Sequence, residues 1–203
     1  MIVVVEGPSA AGKTTWCHRS GLPVVEEYVP SGREPDRSDV SAQAAYWTEV
    51  NSARWAAARK LEMHNPVVLC DTDPVKLHYS WCLNRIGVAP RDRFAEELAA
   101  VRRAFAEDRL GFADVVVTAI PSMATLSEHR QADHTRQRRS FDLHAQLSDP
   151  LRQWYHALDG IEPGHVLWQF PEPSDLQARL FQPRSERSDP ARLDRLMSLL
   201  PKL

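Results

Sequence analysis

The residues Gly7-Pro8-Ser9-Ala10-Ala11-Gly12-Lys13-Thr14 stand between an apolar run, Ile2-Val3-Val4-Val5, and Thr15-Trp16-Cys17-His18-Arg19. Two glycines spaced in this way, followed by lysine and threonine, are equipped to cradle phosphate. The glycines let the backbone wrap so that successive amide N–H groups point inward. A helix beginning at Gly12 or Lys13 adds the positive end of its dipole. Lys13 would reach the β- and γ-phosphates of a nucleoside triphosphate, and Thr14 would ligate Mg²⁺. The expected nucleotide contacts are Gly7, Ser9, Ala10, Ala11, Gly12, Lys13, Thr14 and Thr15.

Carboxylates follow two further apolar runs. Glu26 and Glu27 come after Leu22-Pro23-Val24-Val25, and Asp71 and Asp73 after Val67-Val68-Leu69-Cys70. A carboxylate within hydrogen-bond reach of an acceptor hydroxyl can take its proton. Asp71 is the first choice for base or for a ligand of Mg²⁺ and its water, and Glu27 is the second. Asp73, just before Pro74, fits a helix cap as well as a contact to substrate. Arginines gather at Arg130, Arg136, Arg138 and Arg139, in a stretch without an apolar stripe. They either neutralise a phosphoryl group in transfer or form a solvated loop. At 100° per residue Gln43, Trp47, Asn51 and Arg54 share one helical stripe, which either lines an acceptor pocket together with Glu26 or belongs to a partly solvated amphipathic helix. Tyr46, Trp47 and Trp55 either stack on a planar acceptor or pack in the core. His129, His134 and His144 have no metal-ligand spacing.

These groups must be positioned by strands alternating with helices. The pattern predicts a helix from 13 to about 20 stopped by Gly21, a strand at 22–27 and a loop at 28–39. Next come a long helix capped by Ser41 and running to about residue 64, and a strand at 67–71. Pro74 opens a helix to about residue 85, a charged helix covers 91–109, and 113–120 is the fourth strand. Ser148-Asp149-Pro150 marks the meeting of two helices, Gly160 and Gly164 bracket a loop, and 165–170 is the fifth strand. Two short helices start at Ser174 and at Asp189-Pro190, the latter setting Leu193, Leu196, Met197 and Leu200 against the sheet. Continuous apolar strands alternating with helices predict a three-layer α/β domain with a parallel sheet and ligands at the carboxyl ends of its strands.

The 203 residues suffice for one domain over the whole chain, with a lid at about 121–147. A net charge of −2 gives no basic field for nucleic acid, and no apolar run approaches a membrane span. Cys17, Cys70 and Cys82 form neither a disulfide framework nor a metal pattern, so a cytoplasmic protein is expected. The exposed parts of the long helix offer a face for a homodimer.

On these residues the chain resembles the nucleoside and nucleotide kinase branch of the P-loop proteins, in particular deoxynucleoside-kinase-like and thymidylate-kinase-like enzymes. The resemblance lies in residues 7–14, in Val25-Glu26-Glu27-Tyr28-Val29-Pro30, and in Thr135-Arg136-Gln137-Arg138-Arg139-Ser140-Phe141 running on to Leu147, Leu151, Trp154 and Tyr155. It implies a five-stranded P-loop fold whose lid arginines, here Arg136, Arg138 and Arg139, close over the transferring phosphate. It also implies an acid after strand two as base, and base contacts near Pro171-Glu172-Pro173. The chain departs from the E-R-S segment of deoxynucleoside kinases, having Cys70-Asp71-Thr72-Asp73, and lacks the D-R pair of thymidylate kinases. Asp71-Thr72-Asp73 looks more like nicotinamide-riboside-type kinases.

No N-K-x-D motif argues for a GTPase, and no D-E strand argues for a motor. The expectation is therefore an ATP- and Mg²⁺-dependent kinase acting on a hydroxyl of a small molecule, most readily a nucleoside or nucleoside-like compound. The alternatives are a nucleoside monophosphate kinase in which Arg54 holds the acceptor phosphate, an antibiotic or natural-product phosphotransferase, and a nucleotide-dependent regulatory module.

Overall fold

Alternation of apolar side chains along short strands gives a sheet two faces, and each must be covered. The structure, a computed structural model, describes residues 1–132, 141–178 and 186–203. Its strands are β1 (Ile2–Glu6), β2 (Val24–Val25), β3 (Val68–Asp71), β4 (Val115–Thr118) and β5 (Val166–Leu167). They form one all-parallel sheet in the order β2-β3-β1-β4-β5. The helices are α1 (Lys13–Arg19), α2 (Val40–Glu62), α3 (Leu77–Arg85), α4 (Arg91–Ala106), α5 (Met123–Ala132), α6 (Phe141–Gln146), α7 (Ser148–Ile161), α8 (Pro173–Ala178) and α9 (Pro190–Leu199).

Ile2, Val4, Val68, Cys70 and Val116 point to one face, where Trp55 of α2, Trp81 of α3, Phe105 of α4, Trp154 of α7 and Leu193 of α9 complete the core. Val3, Val5, Leu69, Val115 and Val117 point to the other, covered by Cys17 of α1 and Leu176 of α8. This is the expected three-layer arrangement. Trp55, Trp81 and Trp154 are almost fully buried, and truncating any of them to alanine would cost about 3–5 kcal/mol. The loop after β1 emerges between β3 and β4; the chain leaving β1 runs toward β2 and the chain leaving β3 runs the other way toward β4, and such a reversal is where parallel sheets open a crevice.

Several boundaries differ from the sequence expectation for local reasons. Asp39, not Ser41, caps α2, its Oδ1 accepting the Ala42 N–H at 2.9 Å. Residues 73–76 form a turn, with the Lys76 N–H donating to the Asp73 carbonyl, so α3 starts at Leu77 and not at Pro74. Strand β2 is shorter than residues 22–27 because it pairs only with β3 and the Glu26 carbonyl accepts from Arg54 instead. Helix α7 runs through Gly160 to Ile161. Burial of its Leu151, Trp154, Tyr155 and Leu158 outweighs the roughly 1 kcal/mol a helical glycine costs. Helix α9 rests on α4 and α7.

Candidate active site

The phosphate loop begins where β1 ends. Gly7 has φ 153°, and a Cβ there would stand 2.5 Å from the Ala119 carbonyl oxygen, so only glycine fits so close to the end of β4. Gly12, with φ 90°, is the left-handed entry to α1. Lys13 Nζ donates to the carbonyls of Gly7 (2.7 Å) and Pro8 (3.3 Å), lying across the mouth of the loop. Thr14 Oγ1 donates to Asp71 Oδ2 at 2.6 Å, which ties the start of α1 to the end of β3. A cavity of about 430 Å³ opens over this loop, lined by the loop itself and by Glu27, Thr72, Lys76, His78, Tyr79 and His144.

Beneath the loop lies a buried polar cluster. The Glu6 carboxylate accepts the N–H groups of Gly7 and Asp73, each at 3.0 Å, and stands 3.3 Å from His78 Nε2. Burial pushes the Glu6 carboxyl up, but His78, Lys76 and Lys13 together hold it far below the usual carboxylate range. Asp71 shows the opposite balance. Its burial raises it against the pull of Thr14 and Lys13, with Glu27 and Glu6 adding to the rise. Among the described residues Asp71 Oδ1 is buried without a hydrogen-bond partner. A carboxylate oxygen left in this way beside a threonine hydroxyl fits a hard cation that takes its other ligands from phosphate and water, as Mg²⁺ does. No larger cluster of His, Cys, Asp and Glu able to hold a metal occurs among the described residues.

A second cavity of about 420 Å³ lies between α2, α3 and α4, with Gln43, Trp47 and Asn51 on its α2 wall. Gln43 is itself anchored. Its Nε2 donates to the Pro35 carbonyl and its Oε1 accepts from Trp47 Nε1 at 2.7 Å, pinning the loop 28–39 over the cavity's edge. Trp47 also meets Tyr28 and Tyr46 edge to face, with ring centroids 5.2 Å apart in each pair. Trp55 belongs to the core.

The remaining residues singled out in the sequence fall differently. Arg54 is buried, and its guanidinium donates to the carbonyls of Glu26 (3.0 Å), Asp71 (2.6 Å) and Thr72 (3.0 Å), so it clamps the ends of β2 and β3 together. Glu27 lines the first cavity, whereas the exposed Glu26 faces His18 at 3.0 Å. Asp73 is buried, with Oδ1 accepting the Val75 N–H and Oδ2 facing the Tyr155 hydroxyl at 3.4 Å. Arg136, Arg138 and Arg139 lie outside the described residues. The segments flanking them rest on the phosphate loop, where Leu126, Phe141 and Ala145 pack on Ala10 and Ala11 and His129 Nδ1 donates to the Ala10 carbonyl.

Glu6, Lys76, Tyr79 and His78 escaped the sequence reading, and His144 entered it only as a histidine without metal-ligand spacing. Glu6 was readable as an acid closing an apolar run, and Lys76 as a cation where a helix starts. The approach of the Tyr79 hydroxyl to His144 Nε2 at 3.3 Å joins α3 to α6 and has no local signal.

No protein-family model matches the chain, and no curated protein sequence is similar to it. Among solved structures, deoxyadenosine kinase from M. mycoides with bound dATP aligns at a TM-score of 0.60 and 13% identity, covering 90% of this chain and 100% of that one. The same kinase with bound dCTP aligns at 0.59 and 12% identity, covering 89% and 98%. With the products dCMP and a flexible dCDP it aligns at 0.57 and 13% identity, covering 88% and 97%. The chain thus shares its fold with this deoxyadenosine kinase. Within that fold the chain presents a phosphate loop beside a second, less polar cavity.

Proposed function

We propose that the protein is an ATP-dependent kinase that transfers the γ-phosphoryl group to a hydroxyl of a nucleoside or nucleoside-like small molecule in the cytoplasm. The observation that carries this reading is the abutment of the two cavities, which share Lys76 and Tyr79 in their walls. A nucleotide on the phosphate loop and an acceptor between α2, α3 and α4 would meet there. Lys13 and the loop amides hold the phosphates, Thr14 and Asp71 hold Mg²⁺, and the cation supplies charge neutralisation on the β- and γ-phosphates. Glu27, which faces the first cavity, takes the acceptor proton, leaving Asp71 to the cation side. Arg136, Arg138 and Arg139 are assigned to closing the lid. Gln43, Trp47 and Asn51 wall the acceptor.

Arg54, the cation the sequence offered for an acceptor phosphate, is instead buried against three backbone carbonyls, which leaves Arg37 and Arg93 as the arginines that line the second cavity. The deciding experiment incubates the protein with ATP, Mg²⁺ and a panel of nucleosides, monophosphates and other hydroxyl metabolites, with mass detection of products. Phosphorylated nucleoside is expected, and Lys13→Ala abolishes its formation. Turnover of monophosphates alone would transfer the protein to the rival class, and acceptor-independent hydrolysis alone would make it a regulatory module.

A further inference from the structure

Lys76 occupies a position where local energetics alone would not put a lysine. Its φ of 52° is left-handed, a conformation costly for a residue with a long side chain. It is the residue from which α3 starts, so its charge stands near the positive end of that helix's dipole. Its one ion pair among the described residues, from Nζ to Glu27 Oε1, is long at 3.5 Å and joins side chains that are 32% and 46% exposed, an arrangement that contributes little to stability. Thr72, four residues earlier, is also left-handed at 72°, so strain is concentrated in the segment linking β3 to α3. Strain and an unfavourable charge held together are the mark of a functional position.

The place held is the boundary of the two cavities. Lys76 lines both, its Nζ lies 6.0 Å from the centre of the Tyr79 ring, which also lines both, and its partner Glu27 faces the nucleotide side. Its charge reaches across the junction. It helps to hold Glu6 ionised, and after burial and Lys13 it adds to the depression of the His144 imidazole.

We infer that Lys76 is a second catalytic lysine, whose ammonium group stabilises the phosphoryl group as it passes between the cavities; this rests on the kinase reading above. In the step, the acceptor oxygen bonds to the γ-phosphorus as that phosphorus loses its bond to the β,γ-bridging oxygen. The acceptor proton passes to Glu27 and ADP departs. Lys76 keeps its proton throughout and donates to a non-bridging oxygen of the moving group, while Lys13 stays with the donor phosphates.

The test uses Lys76→Asn, which suits the left-handed backbone, and Lys76→Cys, with the acceptor found in the panel above. Both should lower kcat by roughly 10²–10³-fold and leave the ATP dissociation constant, measured without acceptor, within about threefold. Alkylation of Lys76→Cys with bromoethylamine rebuilds an ammonium at nearly the original length and should restore most of the rate, whereas bromoethanol should not. Cys17, Cys70 and Cys82 are buried and burial pushes their thiols up, and because Cys82 lines the first cavity, wild-type protein treated with the same reagents is the control and should keep its rate. The inference is overturned if the variants keep wild-type kcat, if ATP affinity falls as far as the rate, or if bromoethanol rescues as well as bromoethylamine. Wild-type protein that phosphorylates nothing in the panel would instead remove the kinase reading, and this inference with it.

Discussion

Asp71 ends β3 and Glu27 follows β2, yet their surroundings differ, and the proposed function gives them different tasks. Asp71 is buried and receives the Thr14 hydroxyl, while Glu27 faces the open cavity beside Lys76. Glu27→Gln should therefore lower kcat by about 10²–10⁴-fold with little change in ATP affinity. Asp71→Asn should weaken Mg²⁺-dependent nucleotide binding itself. Calorimetry beside steady-state kinetics separates the two, and an identical profile for both variants would refute the division of roles. His165 makes a different, pH-dependent prediction. Its Nε2 donates to the Ala113 carbonyl at 2.9 Å, and Nδ1 faces Arg192 at 3.3 Å. Burial, then Arg192, lowers its pKa from 6.5 to about 4. A depressed folded-state pKa means that stability present above the unfolded value is lost as pH falls through the folded one. About 3 kcal/mol should disappear between pH 6.5 and 4. Denaturant titrations across that window should show the loss, and His165→Gln should flatten it.

At the scale of elements, α2 acts as the brace of the site. Its amino-terminal half anchors the loop 28–39 and walls the second cavity, and Arg54 in its middle ties β2 to β3. Arg54→Met would leave those carbonyls without their charged donor and should destabilise the fold by about 3 kcal/mol, read as a lower urea midpoint. Because the clamp sets the distance between Glu27 and Asp71, kcat should fall further than the loss of folded protein explains. The 3.6-residue stripe holding Gln43, Trp47, Asn51 and Arg54 was visible in the sequence, since periodicity is a local property. That Arg54 leaves the cavity wall to the others and turns to backbone carbonyls was not, because residues distant in sequence meet it there. The Asp39 cap and the late start of α3 were likewise hidden, each set by one side-chain or turn hydrogen bond that competes with a plausible neighbour.

Across the described residues, the two cavities and a buried ionic clasp occupy opposite ends of the sheet. The cavities open at the carboxyl ends of the strands. At the other end Arg187 donates to Glu62 through two bonds of 2.6 Å and to Asp114, which also accepts the Ile2 N–H. This clasp joins the end of α2, the start of β4 and the segment before α9. Burial raises the Glu62 carboxyl, but Arg187 and the terminal amine more than reverse that, taking it down to about 2. Arg187→Met removes a guanidinium from two carboxylates and should cost about 3–5 kcal/mol, a fall in Tm of roughly 10 °C, with nucleotide affinity unchanged in the folded protein. A variant that kept its Tm would show that the clasp contributes little.

By itself the sequence determined the glycine loop between the first strand and the first helix, the strand-end acids, the alternation of strands with helices and so the layered α/β class. These are written in short windows, where glycine geometry and the periods of strand and helix act. Only the tertiary structure decided the strand order, the abutment of two cavities at Lys76 and Tyr79, the burial of Asp73, the clamp at Arg54 and the clasp at Arg187. Each depends on groups many residues apart being brought within hydrogen-bond or packing distance, and no local period encodes such a meeting.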